Sequence, residues 1–253
     1  MREYLEKCGF QFTNDYLVVP ENMEYLKIDV GLSENAPQSQ KWIASDSSTY
    51  VFGFEPITLS RKSIESGNSQ WPTKLDPKFL GPRMAVVPCA LFSSHIPGGM
   101  DFNVTEGDPG CSSLLTPITF GVAYKEHVEV WTLEDFVSLI DPGRFPLIDH
   151  LKIDVQGADF EVIKGIGSTF ARFLTITVEI DTNGYFNTTN DYVQIYKYMH
   201  RRGFYRLRFP KILRRIMALR GVELVIDLGD PTFINYTRLI KLKNRRLFLY
   251  QRG

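Results

Sequence analysis

The chain is poor in cysteine and histidine, and that scarcity removes whole classes of chemistry. Only Cys8, Cys89, Cys111 and four histidines occur in 253 residues, with no Cys-x-x-Cys spacing. A structural zinc site needs closely spaced Cys and His ligands, and a disulfide scaffold needs a dense, even set of cysteines. Neither is present, so the thiols read as free, in a reducing, cytoplasmic setting, and no metal is expected. Nor is there an excess of charge of one sign: basic and acidic residues number 29 each. No global field draws the molecule to nucleic acid or to an anionic membrane. No apolar run approaches the roughly 18 residues of a membrane span. The opening MREYLEKCGFQFTNDYLVVP alternates charged and apolar side chains and lacks the h-region of a signal peptide. For that reason the Asn-x-Thr triplets at Asn103, Asn187 and Asn235 are read as chance. A Gly-x-Gly-x-x-Gly turn is also missing, which disfavours a dinucleotide-dependent dehydrogenase.

What is present is an ordinary globular composition, 43% hydrophobic and 23% charged, in a length at the upper end of one domain. Short β-branched and aromatic runs recur at 25–30, 49–54, 83–90, 147–155, 173–180 and 245–252. Segments with helical spacing lie between several of them, at 133–140, 159–166 and 191–204, the last stopping at Gly203. Strands alternating with helices predict an α/β fold with a parallel sheet covered on both faces. Residues 1–24 read as a helical or extended lead-in and 25–253 as one domain. The stretch 91–120, rich in Gly, Pro, Ser and Thr, reads as an irregular excursion with a short strand at 101–104. Residues 200–220 are basic and lack acids: Arg201, Arg202, Arg206, Arg208, Lys211, Arg214, Arg215 and Arg220. They form either a solvated face or a surface for an anionic ligand.

Lys-Ile-Asp-Val occurs twice, at 27–30 and 152–155. Each copy ends an apolar run, and a glycine, Gly31 or Gly157, follows. In an open α/β sheet, ligands bind beyond the carboxyl ends of the strands where strand order reverses. If both runs flank that point, Asp29 and Asp154 face one crevice. Gly31 allows a sharp turn close to a ligand. Glu55-Pro56, ending the next strand, stands where an acid accepts hydrogen bonds from a ribose diol. Asp154 has a second reading, as the N-cap of the helix that follows.

These residues resemble the FkbM-type methyltransferases. KIDVQGADFEVIKG is similar to that family's signature, YLKIDVG to its first-strand motif and VFGFEP to its second. TLEDF and RLFLYQR fall in matching order, so the resemblance covers roughly residues 25–251. It implies a Rossmann-like class I methyltransferase fold with a mostly parallel seven-stranded sheet and helices on both faces. It implies S-adenosylmethionine as cofactor and a hydroxyl of a glycan or small molecule as methyl acceptor. Carried over residue by residue, Gly31 and the loop with Ser33 and Asn35 meet the methionine moiety, and Glu55 holds the ribose. Ala90 and Leu91 border the adenine, Ser112 and Ser113 help cap the cofactor, and Asp154 lies near the sulfonium.

Two departures stand out. Asn35 occupies the position of the family's second loop glycine, where a positive φ suits Asn. Gln156 replaces the family's glutamate, removing a candidate base or metal ligand. A neutral hydroxyl needs its proton taken as the new bond forms. The candidates are Asp154 first, then Asp181, then Glu179; His150, His95 and His200 have nothing tying them to the crevice. Asp154 with Asp181 also makes a weak oxygen-ligand pair for a divalent ion. Tyr185 and Phe186, within 183–192, suit stacking on a sugar. The alternative is a catalytically silent module that keeps the fold and works through the basic 200–220 surface.

Overall fold

Every second residue of TYVFGF is aromatic, whereas Val51 and Gly53 face the other way, so this segment needs a sheet covered on both sides. The computed structural model describes residues 1–72, 74–180, 184–206, 219–220, 223–227, 231–239 and 246–250. Its strands are β1 (Phe12–Thr13), β2 (Tyr16–Leu17), β3 (Tyr25–Val30), β4 (Thr49–Phe54), β5 (Met84–Val87), β6 (Ala90–Leu91) and β7 (Ile96–Thr105). There follow β8 (Val122–Trp131), β9 (Ile148–Ile153), β10 (Phe173–Val178), β11 (Phe204–Arg206), β12 (Glu223–Asp227), β13 (Thr232–Asn235) and β14 (Arg246–Tyr250). Helices are α1 (Arg2–Lys7), α2 (Pro37–Ser45), α3 (Thr58–Ser66), α4 (Leu133–Val137), α5 (Asp159–Lys164), α6 (Tyr192–Arg201) and α7 (Tyr236–Leu239).

Seven strands form the main sheet in the order β11-β13-β10-β9-β3-β4-β5. β5, β4, β3, β9 and β10 run parallel, and β13 is antiparallel to both β10 and β11. The sheet is therefore mixed, with one reversed strand, rather than all parallel. Strand order reverses between β3 and β9. Tyr50, Phe52 and Phe54 pack with Phe136 and Val137 of α4, Val162 and Ile163 of α5 and Ile195 and Met199 of α6. Val51 packs instead with Trp42 and Ile43 of α2 and Ile64 of α3. Helices thus cover both faces. Leu5, Leu17, Val19 and Met23 join the larger cluster. Among the described residues, no helix is long and apolar enough to cross a membrane.

Three expectations are corrected. The strand expected at 101–104 is longer: β7 covers 96–105 and pairs antiparallel with β8, which β6 joins as a third strand, whereas 106–120 carries no further strand. Pro97, Gly98 and Gly99 mimic a turn but sit inside β7, where the register shifts between Ile96 and Met100; a bulge tolerates such residues within a strand. The run at 245–252 does form a strand, β14, but it pairs with β12 in a separate two-stranded sheet. The main sheet's last strands are β11 and β13. Finally, the run at 83–90 breaks after Val87: β5 stays in the main sheet and β6 leaves it.

Candidate active site

The two Lys-Ile-Asp-Val runs lie side by side but offset by two residues. Asp29 of β3 stands opposite Lys152 of β9, and Val30 opposite Ile153. The lysine of one motif therefore serves the aspartates of both. Lys152 Nζ is 3.6 Å from Asp29 Oδ1 and 2.9 Å from Asp154 Oδ2, and donates to the Gly31 carbonyl oxygen at 3.4 Å. Burial works against the Lys152 ammonium, but Asp154 and Asp29 outweigh it and raise its pKa. Burial also pushes the Asp29 carboxyl up, opposed by Lys152 and by the Ser39 hydroxyl, which donates to Asp29 Oδ2 at 2.6 Å. Burial would raise Asp154 as well. Lys152, with the hydrogen bond from the Gln156 amide, overcomes this and holds Asp154 below the ordinary carboxylate range.

Beyond the carboxyl ends of β3, β4 and β9 opens a cavity of about 410 Å³. Of the residues expected there, Gly31, Ser33, Asn35, Glu55, Pro56, Ala90, Leu91, Ser112 and Asp154 line it. Asp29 and Ser113 stand behind the wall. Ser113 Oγ donates to the Gln156 carbonyl oxygen at 2.7 Å, tying the β7–β8 loop to the turn after β9. Ser112 Oγ accepts from the Thr105 N–H at 3.0 Å. The chain leaves β3 through Gly31 at φ 83, where a Cβ would lie 1.8 Å from the Asp154 carbonyl oxygen. No other residue fits there.

Glu55 is 3% exposed, and its Oε1 accepts from the Ile57 N–H at 2.9 Å. Burial pushes its carboxyl up to about 7, against the pull of that hydrogen bond and of Arg61. Asp154 is not a helix cap: α5 has no side-chain cap bond. The preceding turn is held by Asp159, which accepts from the N–H groups of Val155 and Gly157 at 2.9 and 3.2 Å. His150 is buried beside Thr175 at 2.7 Å, His95 stacks on Trp131 at 3.9 Å and His200 packs edge-on to Tyr205. None of the three lines the cavity. Asp181 lies outside the described residues, as do Arg208, Lys211, Arg214 and Arg215 of the basic segment. Within that segment, Arg202 lies 3.5 Å from the Tyr198 ring centroid and Arg206 bonds the Tyr192 hydroxyl at 3.1 Å. Among the described residues, no group of three or more His, Cys, Asp or Glu is placed to hold a metal ion.

Sequence reasoning missed Ile57, Trp71, Phe102, Asp108 and Leu114, which also line the cavity. Phe102 and Leu114 cluster with Ala90 and Ile57. The even positions of β7 carry the signal for Phe102; Trp71 comes from an irregular loop and has none.

A family model, the methyltransferase FkbM domain, matches residues 29–205, well over half of the chain. The chain belongs to the FkbM methyltransferase family. Neither a curated protein nor a solved structure matches it. Membership in the FkbM family implies a class I methyltransferase fold, here with β13 reversed. Both departures from the FkbM pattern have a local solution. The left-handed backbone of the first loop falls on Ser33 (φ 57) and Ala36 (φ 46), not on Asn35. Gln156, at φ 56, bridges two carboxylates: its Nε2 donates to Asp154 Oδ1 at 2.9 Å and to Glu179 Oε2 at 2.7 Å. The Tyr185 hydroxyl donates to the Cys111 carbonyl oxygen at 2.6 Å, with Gln156 Oε1 3.1 Å away. Tyr185 is buried against Gly157, whereas Phe186 is exposed.

Proposed function

We propose that this methyltransferase uses S-adenosylmethionine and methylates a hydroxyl oxygen of a glycan or small molecule. The observation that carries the reading is the charge of the cavity wall. Glu55, Asp108 and Asp154 line it, and among the described residues no Lys, Arg or His does. Such a wall suits a ligand bearing an ammonium and a sulfonium, and opposes the polyphosphate of a nicotinamide dinucleotide. The volume lies within the range of cofactor sites.

The residues fit the cofactor in three zones. Glu55, ionised, accepts from ribose hydroxyls. Ile57, Ala90, Leu91, Phe102 and Leu114 give an apolar wall for a planar base. The loop from Gly31 to Asn35, with Asp108 opposite, receives the amino-acid end. When bound, S-adenosylmethionine supplies an electrophilic methyl group on a sulfonium. The chain's own tasks are to align the acceptor oxygen, to exclude water and to take a proton. Asp154, at the wall beside Gln156, is the first candidate to receive that proton, and Asp181 the second. The acceptor's class rests on the family resemblance.

Calorimetric titration with S-adenosylmethionine and with its demethylated product tests the reading. Micromolar binding that Glu55→Gln weakens is the expected result. A folded protein that binds neither would overturn it.

A further inference from the structure

Asp154 alone is a poor proton acceptor, because Lys152 at 2.9 Å already satisfies its charge. Yet it is not alone. Glu179 lies across the Gln156 amide, which donates to Asp154 Oδ1 at 2.9 Å and to Glu179 Oε2 at 2.7 Å. We propose that Asp154 and Glu179, clamped by Gln156, act as one proton-accepting unit for the acceptor hydroxyl, with Gln156 its positioning residue. This rests on the methyltransferase reading above.

Four observations support the unit. Asp154 and Gln156 line the cavity while Glu179 does not, so a proton enters at Asp154 and its charge is shared with the carboxylate behind. Asp29 and Asp154 share the Lys152 cation, and Glu179 is joined to Asp154 through Gln156, so one added proton relieves like-charge repulsion. Gln156 holds a left-handed backbone, which strains a non-glycine residue and persists only where neighbours enforce it. Ser113 and Tyr185, from two other segments, supply that enforcement. Lastly, the clamp needs an N–H donor. A glutamate at 156 has no N–H to give and would set a further carboxylate beside the pair without a second cation. In the step itself the acceptor's O–H bond breaks, its electron pair stays on the oxygen, and a new O–H forms on a carboxylate oxygen of the pair. The other titratable groups facing the pair are Lys152 on β9, Asp29 on β3, Asp159 at the start of α5 and Cys111 in the β7–β8 loop.

The test needs no acceptor. Carbon-detected NMR titration of the side-chain carboxyls follows the whole protein, its Glu179→Gln variant and its Gln156→Gly variant. Glycine suits the left-handed backbone, so the last removes the amide without strain. In the wild type, the Asp154 and Glu179 signals should each move in two shared steps, as coupled sites do. Glu179→Gln should leave one step. Gln156→Gly should raise the upper step by about one unit, a tenfold gain in proton affinity, since the doubly ionised form loses its bridging donor. Independent single steps, unmoved by either substitution, overturn the proposal; a purely structural Gln156 would give that result. Wild-type titration with S-adenosylmethionine runs alongside. Its failure overturns the function reading, whereas independent steps with cofactor binding intact overturn the pair alone.

Discussion

Glu55 is a carboxylate that the fold keeps near the point of losing its charge. Burial raises it to about 7, and only the ionised form accepts from two hydroxyls at once. Affinity for S-adenosylmethionine should therefore fall as pH drops from 8 to 6, and Glu55→Gln should abolish most of that dependence. The substitution should also cost about 1.5–3 kcal/mol of binding at pH 8, the range for hydrogen bonds to a charged group. Calorimetry across that pH range decides both. At Gly31 the constraint is steric: alanine would drive its Cβ into the Asp154 carbonyl at φ 83. Gly31→Ala should cost on the order of 3 kcal/mol of stability in urea unfolding; a wild-type midpoint would refute the contact. Residues at strand tips were legible in the sequence because the chain marks a strand end with an acid, a glycine or a proline. Trp71 and Asp108 were not, because loops of irregular backbone carry no periodicity from which a direction can be read.

The β7–β8 hairpin does more than wall the cavity. Glu126, on β8, accepts from the N–H of Thr58 at 3.0 Å and takes its hydroxyl hydrogen bond as well. Helix α3, which follows Glu55, has no side-chain cap from its own N-cap residue, so the hairpin caps its N-terminus across 68 residues of sequence. Losing a helix cap costs about 1 kcal/mol. Glu126→Ala should lower stability by that order in chemical denaturation. It should also let the Glu55 carboxyl fall somewhat, since Glu126 is one of the charges that raise it. Other caps are local: Thr132 and Asp135 form a reciprocal capping box at α4, and Asp191 caps α6. What hid the hairpin was composition. Pro97, Gly98 and Gly99 spell a turn in a segment that is strand, and β8 alternates too weakly, with Val122, Ala123, Tyr124 and Lys125 all exposed.

For the molecule as a whole, buried acids set the response to pH. Glu55 and Asp159 are both raised by burial to about 7. The unfolded chain releases those protons at the ordinary carboxylate value. Their contribution to stability is thus full below that value and lost as pH rises through about 7. Asp154, held low, works the other way, stabilising at neutral pH and losing that contribution in acid. The unliganded protein should melt at a lower temperature at pH 8 than at pH 6, by an amount on the order of a few kcal/mol in stability. Glu55→Gln should flatten the slope; a melting temperature that rises across that range would sink the account.

The strand order sets a timetable for synthesis. β3 lies in the middle of the sheet, yet its partner β9 begins at Ile148. While the ribosome makes the residues between, β3, β4 and β5 are an apolar half-sheet whose β3 edge, later covered by β9, stands open as a template for misdirected pairing. The cavity cannot exist in that interval, because Asp154 and Gln156 come after the missing strand, so no cofactor can steady the nascent chain. A fragment ending at residue 140 is expected to aggregate on expression, with or without S-adenosylmethionine, whereas the full chain stays in solution.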